Sequence, residues 1–303
     1  MTAHDKWMQW LLHRRYGNNP EQHERMLAKL ATIRDYVLQN AAIAPGHTVL
    51  DLGTGDGLIA FGALDQAGDQ GTVIFSDISS DALEHCKAYV HQLGRLDSCQ
   101  FVCMSANDLT QISDASIDVV TIRSVLIYLT AKQQVFHECY RVLKPEGRLS
   151  LFEPINRFGR GSPEQLLGND ITPIGEIAKK VIREYHQLQP PESDPMVDFD
   201  ERDLLHYAEQ AGFADIHLEL RASIGPMIWS GGWEALLHTA MNPNVPTLAE
   251  VINRVLSTHE AQEFENYLRP RIESGQGTKR VAQVYLWAMK GTEERHSRVG
   301  ATG

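Results

Sequence analysis

The sequence predicts an α/β fold: a doubly wound, mostly parallel sheet of seven strands with helices on both faces. Three observations predict it. Short runs rich in Val, Ile and Leu alternate with helix-period segments between residues 47 and 152. The first of these runs passes into a glycine-rich turn that opens a helix, as a βαβ unit requires. Two later segments of strand character, near residues 215 and 281, bring the strands to seven.

The elements follow in order. From Lys6 to Asn40 apolar residues recur at helical spacing (Trp7, Trp10 and Leu11, then Met26, Leu27, Leu30, Ile33 and Val37), broken at Gly17-Asn18-Asn19-Pro20, so two helices precede the first strand. A strand at His47 to Leu52, a helix at Leu58 to Ala67 and a strand at Thr72 to Ser76 form the first βαβ unit. The alternation continues with a helix at Ser80 to Leu93, strands at Gln100 to Met104 and Ile117 to Ile122, and a helix at Ala131 to Leu143. Lys144-Pro145-Glu146-Gly147 reads as a turn before a fifth strand at Arg148 to Phe152.

Beyond Glu153 the rhythm changes. A helix falls within Ile171 to Gln189, and Pro190 to Pro195 is a loop. The pattern resumes with a helix at Glu201 to Gln210, closed by Gly212, and a strand at Asp215 to Leu220. Helical stretches at Trp229 to Met241, Thr247 to Leu256 and Glu260 to Ile272 precede the last strand at Val281 to Met289. The expected division is a helical cap at 1–43, a core at 44–155, an insertion at 156–198, core again at 199–222, a helical insertion at 223–278, the last strand at 279–291 and a disordered tail at 292–303.

Composition narrows the partners. With 43% hydrophobic residues over 303, the chain can bury a real core. It has no apolar run of membrane-spanning length, and its first residues lack the pattern of a signal peptide, so a cytoplasmic protein without membrane insertion is expected. A formal charge of −11, with only short basic groups such as Arg14-Arg15 and Lys179-Lys180, opposes nucleic acid and favours a small-molecule or peptide substrate. Cys86, Cys99, Cys103 and Cys139 form no CxxC pair and read as buried free thiols, with no disulfide and no metal site.

The chemistry concentrates at Val49-Leu-Asp-Leu-Gly-Thr-Gly-Asp-Gly57. Glycines at 53, 55 and 57 let the strand turn sharply while its backbone approaches a ligand closely. A nicotinamide dinucleotide would need G-x-G-x-x-G, but Leu58 occupies the third glycine position, and Asp51 would set negative charge against a pyrophosphate. Asp77 closes the second strand, where a carboxylate can accept both hydroxyls of a ribose; Asp77 to Asp81 reads equally as a helix cap.

This pattern resembles the class I, Rossmann-like methyltransferases that use S-adenosylmethionine (SAM), whose first motif is an acidic residue followed by G-x-G-x-G. Tyr140-Arg-Val-Leu-Lys-Pro-Glu-Gly147 resembles that family's segment leading into the fifth strand. In style the chain is nearest the ubiquinone-biosynthesis and arsenite methyltransferase branch. The resemblance implies SAM as cofactor and S-adenosylhomocysteine as product. It implies cofactor contacts from Asp51, Gly53, Thr54, Gly55, Gly57, Asp77, Ile78, Ala106, Asn107, Asp108, Arg123 and Ser124. Ser105 stands where the family carries an acidic residue for the adenine edge, so that amine falls to Ser105, Asn107 or the backbone at Ala106. Arsenic enzymes gather cysteines on active-site loops, whereas Cys86 and Cys139 read as helical and Cys103 as strand, so arsenite is not the expected acceptor.

Methyl transfer from a sulfonium is an in-line displacement that needs little acid or base help. His13, Tyr128, Glu153 and His238 are candidates for a base should an oxygen or nitrogen acceptor need one. Trp7, Trp10, Tyr16, Trp229 and Trp233 are candidate aromatic walls of an acceptor pocket or, equally, packing. The alternatives are a SAM-binding partner or sensor without turnover and a nicotinamide-dependent oxidoreductase.

Overall fold

The computed structural model describes residues 5–15 and 20–292. Tyr16, the expected turn at 17–19 and the tail from 293 lie outside them. The chain divides into two compact units. A sheet unit comprises Leu30–Pro154, Phe199–Arg221 and Gln283–Gly303; a helical unit comprises Met1–Lys29, Ile155–Asp198 and Ala222–Ala282.

In chain order the strands are β1 (Thr48–Leu52), β2 (Thr72–Asp77), β3 (Cys99–Cys103), β4 (Ile117–Arg123), β5 (Leu143–Pro154), β6 (Gln165–Leu166), β7 (Asn169–Asp170), β8 (Phe213–Pro226) and β9 (Thr278–Lys290). The helices are α1 (Lys6–Gln9), running into a π-helical turn at Trp10–Arg14, α2 (Pro20–Ala41), α3 (Leu58–Ala67), α4 (Ser80–Gln92), α5 (Lys132–Val142), α6 (Gly175–Leu188), α7 (Glu201–Ala211), α8 (Gly232–His238), α9 (Leu248–Val255) and α10 (Thr258–Glu273).

The seven-stranded sheet runs β3-β2-β1-β4-β5-β9-β8. Strands β3 through β5 in that order are parallel, and β9 pairs antiparallel with β5. Its central strands are buried on both faces, which is why Val49, Leu50, Val73, Phe75, Val119 and Val120 read as near-continuous apolar runs. Fully burying side chains of this kind contributes about 1.5–3 kcal/mol each. The chain passes from β1 to β2 on one side and returns to β4 on the other, a topological switch point that opens a crevice at the carboxyl ends of β1 and β4.

Local signals set the helix ends. Ser79 caps α4 by accepting from the Ala82 N–H at 3.0 Å. Asp200 and Asp203 form a capping box on α7, and Gly212 ends that helix at φ +94. Helix α10 starts at Thr258, before the expected Glu260, because Ser257 and Glu260 form its capping box.

Three readings need correction. Lys144 to Gly147 is not a turn outside the sheet: pairing starts at Leu143, and a bulge with Glu146 at φ +64 shifts the register from Ile117↔Leu143 to Val119↔Arg148. Strand β8 extends well past Leu220, to Pro226. The thiols are not uniformly buried: Cys86 and Cys139 are, Cys99 is half-buried and Cys103 is exposed.

In the helical unit, Ile177, Val181, Trp233, Leu236, Val251 and Phe264 share one apolar core. Trp10 is also buried, and its indole N–H donates to the Ala240 carbonyl at 2.8 Å. Trp10 and Trp233 therefore pack the unit, while Trp7 and Trp229 stay half-exposed. No helix among the described residues is long and apolar enough to cross a membrane. No group of three or more His, Cys, Asp or Glu side chains able to hold a metal ion occurs among them.

Candidate functional site

Asp51 stands near the carboxyl end of β1, 2% exposed. Register places it opposite Thr121 on β4, whose hydroxyl donates to Asp51 Oδ1 at 2.7 Å. Burial pushes its pKa up to about 6, against the Thr121 hydrogen bond and the positive charge of Arg123, which both favour the anion. A carboxylate kept at this depth is poised to receive a cation.

The turn that follows needs its glycines. Gly53, Gly55 and Gly57 have φ of +66, +54 and +83, a region that side chains disfavour. A Cβ on Gly53 would also lie 2.3 Å from Val125 Cγ2. The turn is tied to β2 by the Thr54 N–H, which donates to the Ser76 carbonyl at 2.9 Å. The Thr54 hydroxyl is buried beside Asp51 and, like that of Thr121, favours its anion.

Asp77 ends β2 beside this turn. One carboxylate oxygen accepts from the Gly55 N–H and the other from the Ser79 N–H, both at 2.9 Å. The structural reading of Asp77 is visible in these bonds: it fixes the glycine turn and the start of α4. Ile78 follows the strand end and is 53% exposed.

After β3 the chain turns at Ser105 to Asp108, closed by the Asp108 N–H donating to the Ser105 carbonyl at 3.0 Å. Ser105 donates to Asn107 Oδ1 at 2.5 Å, Ala106 is buried and Asp108 is exposed. Arg141 braces the next stretch, donating to the carbonyls of Leu109 and Ile112 and to Glu138 and Asp114.

At the end of β4, Arg123 is largely buried and its guanidinium approaches Asp56 to 3.9 Å. Ser124 is left-handed at φ +56, an uncommon conformation for serine that marks a constrained turn. Glu153, at the end of β5, explains the constraint. Its Oε1 accepts from the Val125 N–H at 2.8 Å and the Leu126 N–H at 2.9 Å, while Oε2 is buried without a hydrogen-bond partner among the described residues. Burial pushes its pKa up to about 7, opposed by those backbone donors.

The parallel sheet thus brings Asp51, the glycine turn, Asp77, Ile78, the 105–108 turn, Arg123, Ser124 and Glu153 to one edge. Tyr128 lies half-buried in the short 3₁₀ turn at Leu126–Tyr128 on the same edge. His13 and His238 belong to the helical unit and are exposed. Thr121 escaped the sequence reading; its one signal was a hydroxyl inside the otherwise apolar run Val119 to Ile122.

Residues 27–224 match the model of the ubiE/COQ5 methyltransferase family. The chain belongs to that family. Among curated relatives, it is 37% identical over 118 residues to the ubiquinone/menaquinone biosynthesis C-methyltransferase UbiE of Pseudoalteromonas translucida, covering 38% of this chain and 46% of that protein. It is 34% identical over 115 residues to the arsenite methyltransferase of Halobacterium salinarum, covering 38% and 29%. The chain thus spans less than half the length of either relative. Among solved structures, the phosphoethanolamine N-methyltransferase 2 of Haemonchus contortus, in complex with S-adenosyl-L-methionine, superposes with a TM-score of 0.52 at 16% identity, covering 86% of this chain and 53% of that one. The [4+2]-cyclase SpnF superposes at 0.51 with 16% identity, covering 93% and 88%. These two likenesses concern the fold.

The site fits the cofactor that one of these proteins holds. A buried carboxylate, a buried hydroxyl at Thr54, a glycine backbone and a second carboxylate on the neighbouring strand suit a ligand with a cationic amine at one end and a sugar diol further along.

Proposed function

We propose that this chain is a SAM-dependent methyltransferase acting on an oxygen or nitrogen of a small molecule or peptide. The observation that carries the proposal is the pairing of Asp51 and Asp77 at the ends of adjacent parallel strands, around three left-handed glycines at the switch point. Asp51 favours an ammonium near the end of β1, met directly or through water, and disfavours a pyrophosphate. Asp77 offers its carboxylate to the ribose hydroxyls, and Arg123 offers a cation to the methionine carboxylate. Ala106 and Asn107 line the adenine end, with Ile78 as an apolar contact. When bound, SAM supplies an electrophilic methyl on a sulfonium.

What the chain adds is placement. Glu153 gives both acceptor bonds of one oxygen to the turn after β4, holding Ser124 and Val125 in register with Gly53. That role makes it a positioning residue rather than a base. The family relationship supports methyl transfer. A cyclase shares this fold, so the fold alone does not specify methyl transfer, and SAM binding without turnover is the second reading.

Calorimetric titration of SAM into wild type and Asp77→Asn tests the proposal. Micromolar binding is expected for wild type. Loss of one charge-assisted bond, about 1.5–3 kcal/mol, is expected to weaken it on the order of 10- to 150-fold in the variant. Asp77→Ala would lose more, because the Gly55 and Ser79 N–H groups lose their acceptors too. Absence of wild-type binding would overturn the cofactor assignment. Binding with no label transferred from methyl-labelled SAM across an acceptor panel would favour the second reading.

A further inference from the structure

The helical unit contains a cavity of about 650 Å³, the size of a small-molecule site. Leu166 of β6, Ile182 of α6, Leu236 of α8, and Val245 and Leu248 at the start of α9 supply apolar wall. The last three lie beyond residue 224, outside the segment that matches the family, so that part of the wall is this chain's own addition to the matched segment.

One side of the cavity is polar and already satisfied. The buried Asn242 donates to Gln189 Oε1 at 3.0 Å, and Gln189 donates to Asp194 Oδ1 at 2.6 Å. The same oxygen accepts from the Met196 N–H at 2.9 Å. This chain of bonds fixes the loop after α6 to the segment after α8, so the wall is preformed. Asp194 is the one carboxylate lining the cavity among the described residues, and its Oδ1 accepts both of these bonds.

Arg160 is different. It lines the cavity and is exposed, and its guanidinium donates to the carbonyl of Pro191, another lining residue, at 3.0 Å; no ion pair engages it among the described residues. In a chain with a net charge of −11, a guanidinium without an acidic partner at the rim of an apolar cavity leaves room for an anion supplied by a ligand. His186 lines the same cavity, and the lining holds no second acid beside Asp194.

We propose that this cavity binds an amphipathic anion: a single acidic head group held by Arg160 and an apolar body against Leu166, Ile182 and Leu236. The assignment does not rest on the methyltransferase reading. The test uses the full chain and 8-anilinonaphthalene-1-sulfonate, an aromatic anion whose fluorescence reports burial, displaced by decanoate, 2-naphthoate, decanol or decyltrimethylammonium. Saturable binding is expected, with decanoate or 2-naphthoate displacing the probe at lower concentration than decanol; which acid is stronger tells an aliphatic from an aromatic body.

Arg160→Ala, a change at an exposed side chain, should weaken displacement by the acids on the order of threefold and leave decanol unchanged. Ile182→Trp should fill the cavity and abolish probe binding while leaving the SAM titration as in wild type, which keeps this test separate from the cofactor assignment. Equal displacement by decanol and decanoate in the wild type, or acid displacement unaffected by Arg160→Ala, would overturn the proposal.

Discussion

Replacing Glu153 with glutamine is expected to flatten the pH dependence of folding stability. Burial raises the Glu153 pKa from 4.5 to about 7, so the folded chain holds this proton more tightly than the unfolded chain. Raising the pH through that interval therefore costs the folded state, and the cost is complete once the pH exceeds the folded pKa. At about 1.4 kcal/mol per pKa unit, the wild type should lose about 2–3 kcal/mol from this group between pH 5 and pH 8. Glutamine keeps an acceptor for the Val125 and Leu126 N–H groups but sets an amide NH₂ where Oε2 lies without a partner, a cost of about 1–3 kcal/mol that does not titrate. The variant should thus be less stable than wild type at pH 5 and approach it by pH 8. Urea unfolding followed by circular dichroism at pH 5, 6.5 and 8 measures the difference, and comparing the two proteins cancels the other titrating groups. Parallel stability profiles for the two proteins would refute the reasoning, because Glu153 would then not carry the shifted proton.

Two further outcomes follow from the same edge of the sheet. Gly53→Ala should lower stability by about 1–3 kcal/mol and abolish measurable SAM binding, since the left-handed backbone is strained by a Cβ and that Cβ must displace Val125; thermal melting and calorimetry together check it. Thr121→Val removes the hydroxyl that donates to Asp51, so the Asp51 pKa should rise further above about 6; SAM affinity at pH 6 should then fall more than at pH 8, read by titration at both.

The glycine turn, Asp51 and Asp77 were legible because they answer to local rules: three glycines in alternation permit a backbone that other residues resist, and carboxylates at strand ends are visible from strand periodicity alone. Most helix boundaries were legible for the same reason, through Gly57, Ser79 and Gly212 at their ends. The β6–β7 hairpin was not, because its turn places Leu167 at φ +51 before Gly168 at +72, and leucine at a left-handed position carries no turn signal. The bulge at Glu146 hid the start of β5 in the same way.

By itself the sequence determined the strand and helix alternation, the glycine turn with a carboxylate on each of the two neighbouring strands, and the balance of charge that disfavours polyanions. Only the tertiary structure decided that Thr121 meets Asp51 across 70 residues, that Glu153 holds the turn after β4 instead of facing solvent, that Trp10 and Trp233 are packing, and that Arg160 lines a cavity without an acidic partner. The reason is physical. Periodicity and capping are written within a few residues, whereas register and burial are set when distant strands pair and expel water, which fixes both the contacts of a side chain and its proton affinity.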